Sequence, residues 1–574
     1  MTVQRYSKLR IFLIIIGLAL WYSLAWVALS HAASEIFCIQ EGDSWNSSNC
    51  GASCDDEATA GTCMSVSDFN TAGKWDLNED TANNIIGPGD TVYAYGTISS
   101  NVTIAGSGTS GHQITIDGWE ADSCNPYTDE SCSSGALFTG LILLDKNYIS
   151  WVDTRVVRAT RALQVGQFAK VVGANISRNY FENTGGWTTL RIVFMCDSLV
   201  DNNYFLAPYT TNKRGFGMNN GSRNVITNNK TYGGMTGMIF LLAEEYATYN
   251  QAVQADPDAN ISYNEIAYNY VEYCVQEGIS FDLNGTDTPA DWSIREFDTV
   301  SAVNGTEVTL TDADWTGESD LYEGYYMVVI TDADDVFGRS ALITHQADKV
   351  FTLDSTIANL EVGDVVSIGH FFIRNWVHHN TVKNIGYGAS AINFDESALE
   401  NLVEINTAVH NESNPQMIKI MSLYNYVYIS TNSYCADNFT VSGVFEDPCC
   451  TGYQTGNCVN ITQTHGTGPS AFNVLRNNDM DSIRVFTYDK TYSNPAGSGY
   501  AVNTRNNAIY DNTLDYGVDA TVGTYNYYDN NTLGISEDVC YPDCDRADDP
   551  TASLTGWPFV QNGVVYDYGK TSFR

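Results

Sequence analysis

Two phrases, "GISFDLNG" (Gly278–Gly285) and "SAINFDES" (Ser390–Ser397), decide how this 574-residue chain folds. Both read apolar-x-apolar-Asp: Ile279-Ser280-Phe281-Asp282 against Ile392-Asn393-Phe394-Asp395. Such alternation marks a strand that buries one face. The same strand written twice, 113 residues apart, calls for a search for repeats.

Asparagine-punctuated segments recur around N-x-I-x-x-N: "NISRNYFEN", "NVITNNKTY", "NISYNEIAYN", "NWVHHNTVKN" and "NNAIYDNTL". A glycine-containing break and a short alternating strand follow each. The inward apolar pairs of those strands align as Leu163/Val165, Leu190/Ile192, Phe216/Met218, Met238/Phe240, Ile279/Phe281, Ile392/Phe394, Ile418/Ile420 and Ile483/Val485. Their first members are 27, 26, 22, 41, 113, 26 and 65 residues apart. The short intervals fit one coil of three strands, and the long ones a coil plus an excursion. Removing an 86-residue excursion at 285–370 from the interval of 113 leaves 27, one coil.

Asparagine turns, β-branched strands and few helices fit a solenoid whose coils stack strand on strand. With its opening segment "PGDTVYAYGTISSNVTIAGSGTSGHQITIDGW" (Pro88–Trp119), the chain resembles the right-handed parallel β-helix, or pectin-lyase-like, superfamily of secreted bacterial carbohydrate-active proteins. The resemblance implies an all-β solenoid over about 85–535 and a polysaccharide as partner. The Asn-Thr-Asp, Gly-His-Gly and Arg-Ile-Lys sets of pectate lyases and polygalacturonases do not occur, so it does not carry their mechanisms over.

Residues 1–33 read as a signal peptide: Arg5, Lys8 and Arg10, then an apolar stretch, then Ser30-x-Ala32. That stretch is also long enough for an uncleaved anchor. Cleavage is the reading taken, giving a secreted, periplasmic or cell-surface chain with no membrane contact afterwards. The formal charge is −40, and removing the three basic residues of the signal leaves −43. Such a charge repels nucleic acid and anionic membranes. Twelve of the fourteen cysteines form even clusters: Cys38/Cys50/Cys54/Cys63, Cys124/Cys132, Cys435/Cys449/Cys450/Cys458 and Cys540/Cys544. Local disulfides in an oxidising compartment suit them. Cys196 and Cys274 stand alone and read as buried thiols. The expected organisation is a Cys-rich cap at 34–84, solenoid at 85–284, and a small β-barrel or sandwich at 285–370, where Asn304-Gly305 signals a hairpin. Solenoid resumes at 371–535 with a Cys-rich loop at 435–464, and 536–574 forms a tail or cap.

Between the inward pairs lies an outward column: Gln164, Arg191, Gly217, Ile239, Ser280, Asn393, Lys419 and Arg484. The next outward column holds Asn219, Asp282 and Asp395. Stacked coils sit about 4.8 Å apart, so Asp282 and Asp395 should face the same way, sharing a proton or a cation. With Glu396 they offer oxygen ligands of the kind calcium prefers. Strand-end aspartates also serve as plain turn caps, and Lys419 also fits a surface ion pair. The chemical reading is β-elimination on a uronic acid polymer. Lys419 is its base, Asp282 and Asp395 carry the cation or substrate carboxylate, and Arg191, Ser280, Asn393, Asn219 and Arg484 line the chain's path. A glycoside hydrolase using paired aspartates and a non-catalytic glycan-binding surface protein are the alternatives. "HHN" (His378–Asn380) reads as turn structure, and the 285–370 insertion as a wall or lid over the site.

Overall fold

A computed structural model describes residues 36–41, 63–76, 85–118, 136–158, 161–185, 187–209, 213–242, 256–283, 296–311, 322–331, 340–385, 390–394, 398–399, 401–409, 416–420, 426–428, 431–433, 459–463, 474–476, 478–487, 491–493, 499–501, 508–510, 512–520, 527–529, 532–533, 560–561 and 564–565. Beyond Val409 the account concerns backbone, apart from a few side chains. The signal segment lies outside the described residues, as do the cysteines between 42 and 62, between 119 and 135, and from 434 onward. Among the described residues no helix is long and apolar enough to cross a membrane.

Three short strands make a coil. Val225–Thr227, Lys230–Tyr232 and Thr236–Leu242 form one, and Glu265–Ala267, Tyr270–Glu272 and Glu277–Leu283 lie parallel against them in the next. The first strands of successive coils build a fifteen-stranded sheet. The two opening phrases meet as expected, with Ile279 opposite Ile392, Ser280 opposite Asn393 and Phe281 opposite Phe394. The chain is a right-handed parallel β-helix. The expected register runs unbroken from Leu163 through Leu190, Phe216, Met238, Ile279 and Ile392 to Ile418.

The solenoid holds more coils than the spacing suggests. Val459–Gln463, inside the segment read as a Cys-rich loop, pairs with Ile418–Ile420 on one side and Ile483–Thr487 on the other. The interval of 65 residues is therefore two coils, of 41 and 24. Ile142–Leu144 adds another before Leu163. At the N-terminal end, Ile36–Gln40 and Cys63–Ser65 extend the first sheet beyond Thr91–Ala94. Ser65 Oγ caps the single-turn helix Val66–Phe69 by accepting from the Asp68 amide at 3.1 Å. Trp75 Nε1 donates to the Phe69 carbonyl at 2.6 Å. Phe37, Ile39, Met64 and Phe69 join the solenoid's core, so apolar strand ends are covered. Cys38 is disulfide-bonded, to a cysteine whose side chain lies outside the described set. Cys196 and Cys274 are free and buried, as expected.

The recurrent asparagines are interior groups. At the corner between first and second strands, one residue takes a positive φ (Tyr268 at 56°, His379 at 53°, Ile405 at 55°) and a buried asparagine follows. Asn179, Asn203, Asn229, Asn269, Asn380 and Asn406 form a ladder along the solenoid. Each Oδ1 from Asn203 onward accepts from the backbone amide and the Nδ2 of the asparagine one coil before, at 3.0 Å. Each Nδ2 also donates to a backbone carbonyl of the preceding coil. Asn224, Asn264, Asn375 and Asn401 make a second ladder at the corner after the third strands. In "HHN", His379 is the left-handed corner residue and Asn380 the ladder member.

Phenylalanines stack up the core on the same period. Phe240, Phe281 and Phe394 lie 4.8 and 4.5 Å apart between ring centroids, stacked with their planes nearly parallel. All three are fully buried. Phe281→Ala should cost about 3–5 kcal/mol, because coils above and below hold the cavity open. A shift of the urea midpoint worth under 1 kcal/mol would contradict that packing.

The insertion is a closed six-stranded antiparallel barrel of Glu296–Asn304, Glu307–Leu310, Val350–Leu353, Ser340–Ala347, Tyr326–Thr331 and Val365–Gly369. Asn304 and Glu307 flank its first turn, where Gly305 takes φ +65°. Its core is separate, around Val300, Val308, Met327, Ile343 and Phe351. It leaves the solenoid after Leu283 and returns at Phe372–Ile373, which pairs with Ile261–Ser262. Asn260 Nδ2 donates to the Gly324 carbonyl at 2.9 Å and ties the barrel to that corner.

An ionic knot holds the neighbouring corner. Asp258 accepts from Arg223 Nη1 at 2.6 Å, from Lys170 Nζ at 2.7 Å and from the Ser222 hydroxyl. Burial pushes this carboxyl up, yet the bonds from Arg223, Lys170 and Ser222 outweigh it and hold it far below the usual range. A depressed folded-state pKa gives stability that is complete above the ordinary aspartate value of about 3.9 and fades as pH falls below it. The melting temperature of Asp258→Asn should therefore fall less than the parent's between neutral pH and pH ~2. Parallel profiles for the two proteins would contradict this.

Candidate functional site

The third strands carry the outward column in the expected order: Gln164, Arg191, Gly217, Ile239, Ser280, Asn393, Lys419, then Asn460 and Arg484. Asp282 stands beside Leu241 in the next column. Side-chain burial divides this strip. Arg191 and Asn219 are each only 5% exposed, Ser280 is fully buried and Asn393 is 1% exposed. Expected to contact substrate, these four are closed from solvent instead. Asp282 is half-buried. Lys419 and Arg484 are placed by backbone register alone, and Asp395 and Glu396 lie outside the described residues. Among the described residues no three His, Cys, Asp or Glu side chains gather as a metal site.

What Asn393 and Thr236 hold is a carboxylate that alternation hid. Asn393 Nδ2 donates to Glu277 Oε1 at 2.9 Å and to Ser280 Oγ at 3.3 Å, and Thr236 Oγ1 donates to Glu277 Oε2 at 3.4 Å. Among the described residues Asn393 Oδ1 accepts nothing, although it is buried. Glu277 belongs to a further column with Thr188, Arg214 and Thr236. Burial pushes the Arg214 guanidinium down from its ordinary value, and the carboxylates of Asp282 and Glu277 offset this only in part. Arg214 lies over the Trp187 ring, 5.2 Å from its centroid. Trp187 itself is 61% exposed. The open part of the site is thus its edge, where Trp187 and Arg214 pack together within the electrostatic reach of Asp282 and Glu277.

Strict alternation sends Arg214 and Glu277 inward, since each lies two residues before an inward apolar residue. Glycine overturns that parity. A Cβ on Gly215 would meet Phe205 Cβ at 3.0 Å, on Gly237 Val271 Cγ1 at 2.3 Å, and on Gly278 Val382 Cγ1 at 2.4 Å. These glycines face the interior immediately before the inward Phe216, Met238 and Ile279, so the residue preceding each turns outward. The glycine recurring at that offset is the sequence signal for the missed column.

No family model and no curated protein matches the chain. Among solved structures it is similar to a mannuronic acid specific polysaccharide family 6 lyase enzyme from human gut microbiota, at 12% identity over 82% of this chain and 90% of that one, with a TM-score of 0.33. A rhamnogalacturonan lyase is 10% identical over 93% and 95%, with a TM-score of 0.31. A GH136 lacto-N-biosidase from Eubacterium ramulus is 10% identical over 87% and 68%, also at 0.31.

Proposed function

We propose that the protein is a secreted carbohydrate-active enzyme, a polysaccharide lyase that cleaves a uronic-acid-containing polymer by β-elimination. The register carries this reading. It sets Lys419 in the same outward column as Asn393, one coil on, with Asn393 bonded to Glu277; the strand of Glu277 and Asp282 lies two coils before Lys419 and that of Arg214 four. A base, an arginine and acids on one strip are what proton abstraction next to a carboxylate needs.

In the reaction, the neutral Lys419 amine takes the proton from C5 of the uronate. The C5–H electron pair forms the C4–C5 double bond as the bond from C4 to the glycosidic oxygen breaks. The departing oxygen takes a proton from the lysine ammonium or from water, so atoms and charge balance. Calcium was expected on Asp282, Asp395 and Glu396. Of these, only Asp282 lies among the described residues.

Incubation with a panel of uronate polymers tests the reading through the ultraviolet absorbance of the unsaturated product. Absorbance rising together with reducing ends supports elimination. Reducing ends without absorbance point to a hydrolase using Glu277 and Asp282. Neither signal from any polymer points to a glycan-binding surface protein.

A further inference from the structure

We infer that Trp187 and Arg214 form a substrate subsite at the open edge of the strip, the indole taking a sugar ring face and the guanidinium its carboxylate. The inference rests on the lyase reading only for the nature of the sugar. Trp187 is among the few large apolar side chains that the described residues leave exposed. Arg214 covers one side of the ring, and an indole exposed to 61% keeps area for a second partner. Sugar rings present apolar C–H faces that pack on aromatic surfaces, as burial of apolar area favours.

Arg214 supplies the anion recognition. Its backbone amide donates to the Trp187 carbonyl at 2.7 Å, locking the two residues together across adjacent coils. Among the described residues its guanidinium makes no hydrogen bond, so its fork of donors is available to a ligand. It is half-buried, so a carboxylate there would meet a partly desolvated cation already oriented by the ring. Planar bidentate pairing suits arginine to this task better than lysine. An arginine stays charged at any working pH, and Asp282 and Glu277 act on this guanidinium against the effect of burial. They also disfavour an anion placed off the fork, which makes the subsite selective for one ring orientation. Arg191, closed from solvent in the outward column, leaves this role to Arg214.

Calorimetry on the full chain with a uronate trisaccharide and its carboxyl-reduced counterpart tests this. Arg214→Ala should weaken the uronate about 10–100-fold, as loss of a charge-assisted pair does, and leave the reduced sugar nearly unchanged. Arg214→Lys should fall between. Trp187→Ala should weaken both sugars by about 3–10-fold, a typical aromatic contribution, with the fold intact because the ring is exposed. The subsite is overturned if the parent binds neither sugar, or if Arg214→Ala binds both as the parent does or loses both equally. Selective binding as above without any unsaturated product sinks the elimination reading and leaves the subsite standing. Product formed by a protein whose Arg214→Ala variant still discriminates like the parent does the reverse.

Discussion

Lys419→Ala should lower turnover on the preferred uronate polymer by about 10²–10⁴-fold, the usual share of a general base, while melting with the parent. The expectation follows from position. Lys419 stands one coil beyond Asn393 in a column whose register is continuous over nine strands, and Asn393 is bonded to Glu277. A lysine retained only for an ion pair contributes about 0–1 kcal/mol, and its loss would leave the rate nearly alone. Initial rates from the unsaturated-product absorbance, measured at saturating polymer, distinguish the two. A variant as fast as the parent removes Lys419 from the chemistry. The Arg214 variants should act mainly on KM, so the two sets of substitutions separate binding from proton transfer.

Asn269→Ala should destabilise the solenoid by about 2–6 kcal/mol in urea unfolding, as much as a large core truncation. Asn269 Oδ1 accepts from both the backbone amide and the Nδ2 of Asn229, each at 3.0 Å. Its own Nδ2 donates to the Ile226 carbonyl at 2.8 Å and to Asn380 Oδ1 at 3.0 Å. Alanine leaves two buried donors of Asn229 without an acceptor, and each such orphan costs about 1–3 kcal/mol. Water cannot compensate, because Asn229 is fully buried and Asn269 only 1% exposed. Asn228→Ala, one residue outside the ladder, is the control and should cost far less. Equal losses for the two would show that the ladder contributes nothing beyond its turn.

The sequence by itself determined the solenoid. Ile279/Phe281 and Ile392/Phe394 recur because every coil must offer inward side chains of similar size to the coil above, and that demand is local and periodic. It also located the barrel, whose strands and Asn304-Gly305 turn break the period, and the free thiols of Cys196 and Cys274. The asparagine repeat was legible as a period but not as an interior ladder, since a polar residue at a corner looks the same whether it faces water or the next coil. The coil at Val459–Gln463 was hidden because one strand between long excursions has no neighbours in sequence to show its phase. Only the tertiary structure decided the site. Gly215, Gly237 and Gly278 turn inward where backbones and side chains crowd, and this rotates Arg214 and Glu277 out of the core positions that alternation assigns them. Burial of Arg191, Ser280 and Asn393 likewise depends on neighbours outside their own column. Repetition along one chain fixes which residues lie in a column. Which of them meet solvent is fixed by packing across columns, and no period in the sequence encodes that.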